Sequence, residues 1–155
     1  MTHQLNFIYN DSDWIAPAEY PDLSKATEIA IDLETKDPNI KTKGPGWATF
    51  DGHIVGFAVA ALGQQWYFPI AHDAGGNMDL SITCAFMQDI LKTDATKIFH
   101  NASYDVGWLL VNGFEIKGKI VDTMIAAAII NENRFSFSLN ACAKDYLGEI
   151  KNETF

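Results

Sequence analysis

The segment Glu28-Ile29-Ala30-Ile31-Asp32-Leu33-Glu34 constrains the fold of this 155-residue chain more than any other stretch. Ile29, Ile31 and Leu33 recur at every second position, with Ala30, Asp32 and Glu34 between them. Alternate side chains of a strand point to opposite faces, so the pattern predicts a strand with one apolar face and two carboxylates on the other. The apolar face needs a covering layer. Helical spacing of Ile82, Phe86, Met87, Ile90 and Leu91, and of Val106, Leu109 and Leu110, supplies two candidates. With 48% hydrophobic and 12% aromatic residues the chain has material for a core, which excludes general disorder, and its length suits one domain.

Residues 1–27, punctuated by Pro17 and Pro21, read as a lead-in arm, and residues 28–155 as the domain. Residues 35–52 form a connection longer than usual, which marks it as functional or mobile. Two strands follow at about 53–62 and 65–70, joined by a short turn around Gly63-Gln64. Pro69 confines the second to an edge or a strand end. A helix fits 81–91. A strand at 97–100 turns directly into a helix near 101–111, and a short strand around 119–121 leads to a helix opening at Asp122. The last helix starts at the N-cap Ser138 and closes at Gly148. The order predicts an α/β domain, a mixed β-sheet flanked by helices.

Eleven Lys and Arg against twenty Asp and Glu give a net charge of −9, and Arg134 is the only arginine. A chain that grips duplex DNA through its phosphates needs a basic face, and none is visible here. Positive charge at a reacting phosphate would then come from bound metal. No apolar run reaches the ~18–20 residues of a bilayer span, and residues 1–6 lack the pattern of a signal peptide. Cys84 and Cys142 stand alone in apolar helical patterns and read as small buried residues, so the expected setting is a reducing cytoplasm.

Asp32 and Glu34 lie on one side of their strand. Two carboxylates so placed repel unless a cation sits between them, and an oxygen-only site suits Mg2+ or Mn2+. Asp11-Ser12-Asp13 has the same spacing but lies in the arm and reads as a solvated turn. The second constellation, His100-Asn101-Ala102-Ser103-Tyr104-Asp105, straddles a strand end and a helix start, where α/β sheets place ligand crevices. Asp105 falls in the first helical turn, whose dipole favours the ionised carboxylate. Asn101 either caps that helix or meets a substrate. Trp47 and Phe50 of the long loop suit either packing or base stacking, and Lys41 and Lys43 either solvation or phosphate contact. His72 and His100 read as polar packing residues.

Taken together, Ile31-Asp32-Leu33-Glu34-Thr35, Tyr67-Phe68-Pro69-Ile70-Ala71-His72, His100 to Asp105 and Val121-Asp122-Thr123-Met124 resemble, over residues 28–150, the 3′–5′ proofreading exonuclease domain of family A DNA polymerases. This belongs to the DEDD superfamily, and Lys43-Gly44-Pro45-Gly46-Trp47 is most similar to bacteriophage members. The resemblance implies a ribonuclease H-like fold and two divalent metal ions, Mg2+ or Mn2+. It implies that Asp32 bridges both ions, that Glu34 completes the site of the attacking water, and that Asp105 holds the ion beside the leaving group. Thr35, Asn101 and Tyr104 would bind substrate, the 3′ end of single-stranded DNA, and Asp122 would cap a helix near the site. The implied partner is a polymerase domain, in cis or as a separate chain, and the implied setting is a bacterial host cell.

The family carries a third motif, Tyr or His followed four residues later by Asp. After Asp105 no such spacing occurs, since Ala141 stands four places before Asp145. The expectation is a member truncated before that motif, weak or inactive alone. Two other readings stay open: a non-catalytic module binding DNA or a polymerase, and an RNA-trimming exonuclease of the same superfamily.

Overall fold

Strand β1 (Glu28–Lys36) forms where the alternation predicts it, burying Ile29, Ile31 and Leu33 and exposing Asp32 and Glu34. The structure is a computed structural model that describes residues 15–149. Residues 1–14, with the Asp11/Asp13 pair, and residues 150–155 lie outside the described residues. On one side β1 pairs antiparallel with β2 (His53–Ala61), which returns as β3 (Gln64–Pro69). On the other it runs parallel to β4 (Thr96–Phe99), followed by β5 (Ile120–Asp122). The order across the sheet is β3-β2-β1-β4-β5. Pro69 ends an edge strand, where its missing N–H leaves no ladder bond unmade. The hairpin turns at Leu62-Gly63, one residue earlier than the sequence suggests. Both residues are left-handed (φ 52° and 73°), the backbone of a two-residue turn whose twist suits the flanking strands.

Helices α1 (Ile40–Lys43) and α2 (Gly46–Thr49) lie between β1 and β2. They are followed by α3 (Leu80–Leu91), α4 (Ala102–Val111), α5 (Thr123–Ile130) and α6 (Leu139–Leu147). Met87 and Leu91 of α3 and Trp108 and Leu109 of α4 pack in one core with Phe57, Phe68 and Phe99 of the sheet. Burying each such side chain stabilises the fold by roughly 1.5–3 kcal/mol. Two expected core positions face outward. Ile82 is 57% and Leu110 58% exposed, while Thr83, Asp105 and Trp108 turn inward. Apolar spacing could not show this, because two of the three inward residues are polar and satisfied by distant partners; Thr83 Oγ1, for example, bonds Tyr20 Oη at 2.7 Å. Lys97 of β4 is likewise buried, its ammonium donating to the carbonyls of Thr93 and Lys117. The described part of the arm packs on the domain, with Leu23 in the core and Tyr20 stacked on Phe68.

The long loop is docked through its two one-turn helices. A Cβ on Gly107 of α4 would lie 2.4 Å from the Trp47 ring, and one on Gly46 1.9 Å from the Asp51 carbonyl. These glycines let α2 approach α4. Ala is the better helix former, yet Gly107→Ala is expected to destabilise the protein by about 1–3 kcal/mol through overpacking. Trp47→Ala should cancel most of that loss in the double variant. Chemical denaturation of the three variants checks it, and a stabilised Gly107→Ala would contradict the docking.

Candidate active site

The sequence-predicted carboxylates come from two elements that meet at one end of the sheet. β4 ends at Phe99, and the chain enters α4 with Asp105 in the first turn. β4 pairs with β1 only as far as Ala30. Further along β1 the Leu33 N–H is taken by Asp105, donating to Oδ1 at 3.1 Å. This bond pins the carboxylate against the strand that carries Asp32 and Glu34. A β-bulge between Glu34 and Thr35 shifts the register with β2 next to these residues.

Asp105 is only 3% exposed. Burial, and then the charge of Asp32, push its carboxyl up to about 7, against the pull of the Leu33 N–H. The expectation that the helix dipole keeps it ionised is therefore corrected, because desolvation inside the fold outweighs a partial charge at the helix end. The charge of Asp32 on β1 thus reaches the Asp105 carboxyl on α4. Glu34 lies toward Tyr67, whose hydroxyl is pushed up to about 12 by burial and then by the Glu34 charge. Among the described residues no three His, Cys, Asp or Glu side chains are gathered to hold a metal ion. The donor chemistry nonetheless fits a hard divalent cation, since every candidate ligand is a carboxylate and a cation would relieve the Asp32–Asp105 repulsion.

The candidate substrate residues divide. Thr35 and Tyr104 are joined, Thr35 Oγ1 lying 2.8 Å from Tyr104 Oη, and the tyrosine hydroxyl donates to Asp37 Oδ2 at 3.0 Å. Asn101 stands apart at the start of α4 with a left-handed backbone (φ 68°), and its Oδ1 accepts from Ser103 Oγ. It makes no side-chain cap to the helix. Asp122 does that work instead, accepting from the Asn101 and Ala102 N–H groups at 3.1 and 2.8 Å and from those of Met124 and Ile125 at the head of α5. The helix-cap expectation for Asp122 holds for two helices rather than one. Burial alone would raise its carboxyl, but these four N–H groups outweigh that and hold it below the usual carboxylate range. His100 bonds through both ring nitrogens, to Thr123 Oγ1 and the Phe137 carbonyl, and His72 bonds the Tyr67 hydroxyl.

A cleft of about 760 Å3 opens on the carboxylate face of the sheet. Ala30, Ala58 and Ala60 form its floor, and Asp32, Tyr67, His100 and Thr123 stand around it. The small floor residues leave the room that larger side chains would fill. Two participants have places in the site that the sequence reading did not assign. Tyr67 lies across β2, and the signal was Gly56, opposite Glu34, where a Cβ would fall 2.1 Å from the tyrosine oxygen. Asp37 ties Tyr104 to the loop by also accepting from the Gly46 N–H at 2.8 Å, and it follows the Asp32/Glu34 pair closely in sequence.

The 3′–5′ exonuclease family matches residues 18–154. A DNA-directed DNA polymerase of Pseudomonas phage M6 is 33% identical over 154 residues, covering 95% of this chain and 23% of its own length. Among solved structures, Brucella melitensis NrnC with bound Mg2+ is similar with a TM-score of 0.61 at 18% identity, over 88% of this chain and 62% of that one. Escherichia coli RNase D, an exoribonuclease involved in structured RNA processing, gives 0.56 at 20% identity, over 83% and 30%. At these identities the likeness is one of fold, the ribonuclease H-like mixed sheet flanked by helices. No helix of the described residues is long and apolar enough to cross a membrane. The chain spans about a quarter of its phage relative, and it belongs to the 3′–5′ exonuclease domain family of family A DNA polymerases.

Proposed function

We propose that this domain hydrolyses phosphodiester bonds at the 3′ end of single-stranded DNA, as the proofreading partner of a polymerase domain in cis or in a separate chain, within a bacterial host cell. The observation that carries the reading is the Asp32–Asp105 pair, in which Asp32, lining a cleft, adds its charge to burial in raising the proton affinity of the Asp105 carboxyl. Asp32, Glu34 and Asp105 would hold divalent ions, Mg2+ or Mn2+. When bound, such ions neutralise charge on the scissile phosphate and ionise a water. The chain's own part is placement. The Leu33 N–H fixes Asp105, while Thr35 and Asp37 fix the ring of Tyr104 beside it. Thr35, Asn101 and Tyr104 then stand as substrate-binding residues. An acidic chain is suited to this work because its carboxylates meet cations before they meet phosphate.

The test is release of mononucleotides from 3′-labelled single-stranded DNA by this chain with Mn2+, with EDTA, and by Asp32→Ala. A second arm uses the chain extended by a segment carrying Tyr-x-x-x-Asp. Metal-dependent release that Asp32→Ala loses is expected, slow in the 155-residue chain and faster in the extended one. Release that survives Asp32→Ala, or none from either chain, overturns the proposal. The likeness in fold to RNase D favours a second reading, RNA trimming. An RNA oligomer of the same sequence in the same assay separates the two by rate.

A further inference from the structure

The loop between β1 and β2 carries two aromatic residues, and their surroundings are opposite. Trp47 lies against Gly107 of α4 and packs on the core. Phe50, three residues on, is 92% exposed, and its backbone is left-handed (φ 57°, ψ 39°). A bulky L residue is disfavoured in that conformation, whereas glycine adopts it freely. A large apolar ring also gains nothing from burial when it stands in water. Phenylalanine is therefore unfavourable at this position on two independent counts. Leu62, also left-handed and exposed, serves its hairpin turn, whereas Phe50 closes a one-turn helix that glycine would close without strain.

The base beneath Phe50 is held firmly. The Asp51 N–H donates to the Gly46 carbonyl at 3.0 Å, and Asn39 Nδ2 donates to Asp51 Oδ2 at 2.6 Å. Asp37 joins the Gly46 N–H to Tyr104 beneath the loop. The loop leaves β1 at Lys36 and returns at His53, directly opposite Lys36 in the ladder. It therefore stands at the end of the sheet toward which Asp32 and Glu34 lead. Lys41 and Lys43, both exposed, close the last turn of α1 in the same loop. The Lys43 ammonium lies 4.0 Å from Asp51 Oδ2, a surface pair of the kind worth little to stability. A chain of net charge −9 thus presents an exposed aromatic ring and two exposed lysines in one docked loop beside its carboxylates.

We propose that Phe50 is a stacking platform for a base of single-stranded nucleic acid, with Lys41 and Lys43 meeting the adjoining phosphates, a contact outside the carboxylate site. This rests on the nuclease reading above. Every base has a π-face, so the contact tolerates any sequence and suits a strand that must slide as its end is shortened.

The experiment measures fluorescence anisotropy of a labelled oligothymidylate titrated with the whole chain in EDTA, where no metal links carboxylates to phosphate. Phe50→Ala and Phe50→Leu are expected to weaken binding about fivefold or more, and Phe50→Trp to retain it. Phe50→Gly should lose binding in the same way while raising the melting temperature, because it relieves the left-handed strain; that separates binding from folding. Phe50→Leu binding as tightly as the unmodified chain would overturn stacking, as would an unmodified chain that does not bind at all. Neither result touches the nuclease reading, which stands on metal-dependent hydrolysis and its loss in Asp32→Ala.

Discussion

Asp105→Asn is expected to raise the stability of the metal-free protein at pH 8 by on the order of 2–4 kcal/mol while abolishing nucleotide release. The carboxyl of Asp105 is buried, faces the charge of Asp32, and is pushed up to about 7 from an ordinary 3.8. Asparagine keeps an oxygen for the Leu33 N–H and removes the charge. The sign follows from linkage. Between about pH 4 and 7 the folded chain holds a proton on Asp105 that the unfolded chain has released, so the wild type loses stability as pH rises through that window. Below it both states are protonated, and above it the loss is complete. The advantage of Asp105→Asn should therefore be absent near pH 4, grow up to about pH 7, and stay level beyond. Thermal unfolding in EDTA at several pH values measures it. Added Mn2+ should stabilise the wild type at pH 8 and leave Asp105→Asn unmoved. A variant no more stable than the wild type at pH 8 would mean that burial and the Asp32 charge do not raise the Asp105 carboxyl in the fold.

Asp122→Ala should destabilise the protein by about 2–3 kcal/mol, more than the loss of a single helix cap. One carboxylate satisfies N–H groups at the heads of both α4 and α5, so its removal uncaps two helices at once. Asp122→Asn keeps an acceptor and should lose about 1 kcal/mol. Because the folded carboxyl sits below the usual range, its stabilisation is present above the unfolded value near pH 4 and disappears as pH falls through the folded value. Urea denaturation of both variants at neutral pH checks the order. Asp122→Ala losing no more than Asp122→Asn would show that water replaces the carboxylate at both helix heads.

The legible parts of this fold are those written in local pattern. The alternation of Ile29, Ile31 and Leu33 predicts the central strand and the exposure of Asp32 and Glu34. Pro69 predicts an edge, and Ser138 and Gly148 predict the ends of α6. The strand-to-helix passage at His100-Asn101 predicts a site at a strand end, and Asp105 is brought there. Misreadings arose where a polar residue faces inward. In α4 the stripe of Val106, Leu109 and Leu110 is replaced by Asp105, Trp108 and Leu109, because the Leu33 N–H supplies a partner for a buried carboxylate. Of the two readings for Trp47 in the long loop, packing is the one the structure shows, and two glycines admit the two tryptophan rings that hold the loop down.

By itself the sequence determined which residues alternate, where helices are capped, and that two carboxylates share a strand face, since each of these depends on neighbours a few positions away. Only the tertiary structure decided that Asp105 is buried beside Asp32, that Glu34 lies toward Tyr67, that Asp122 serves two helices, and that Phe50 rather than Trp47 faces solvent. Those outcomes depend on distances between segments far apart in the chain, 72 residues in the case of Leu33 and Asp105. Desolvation and charge coupling arise from such distances and leave no period in the sequence.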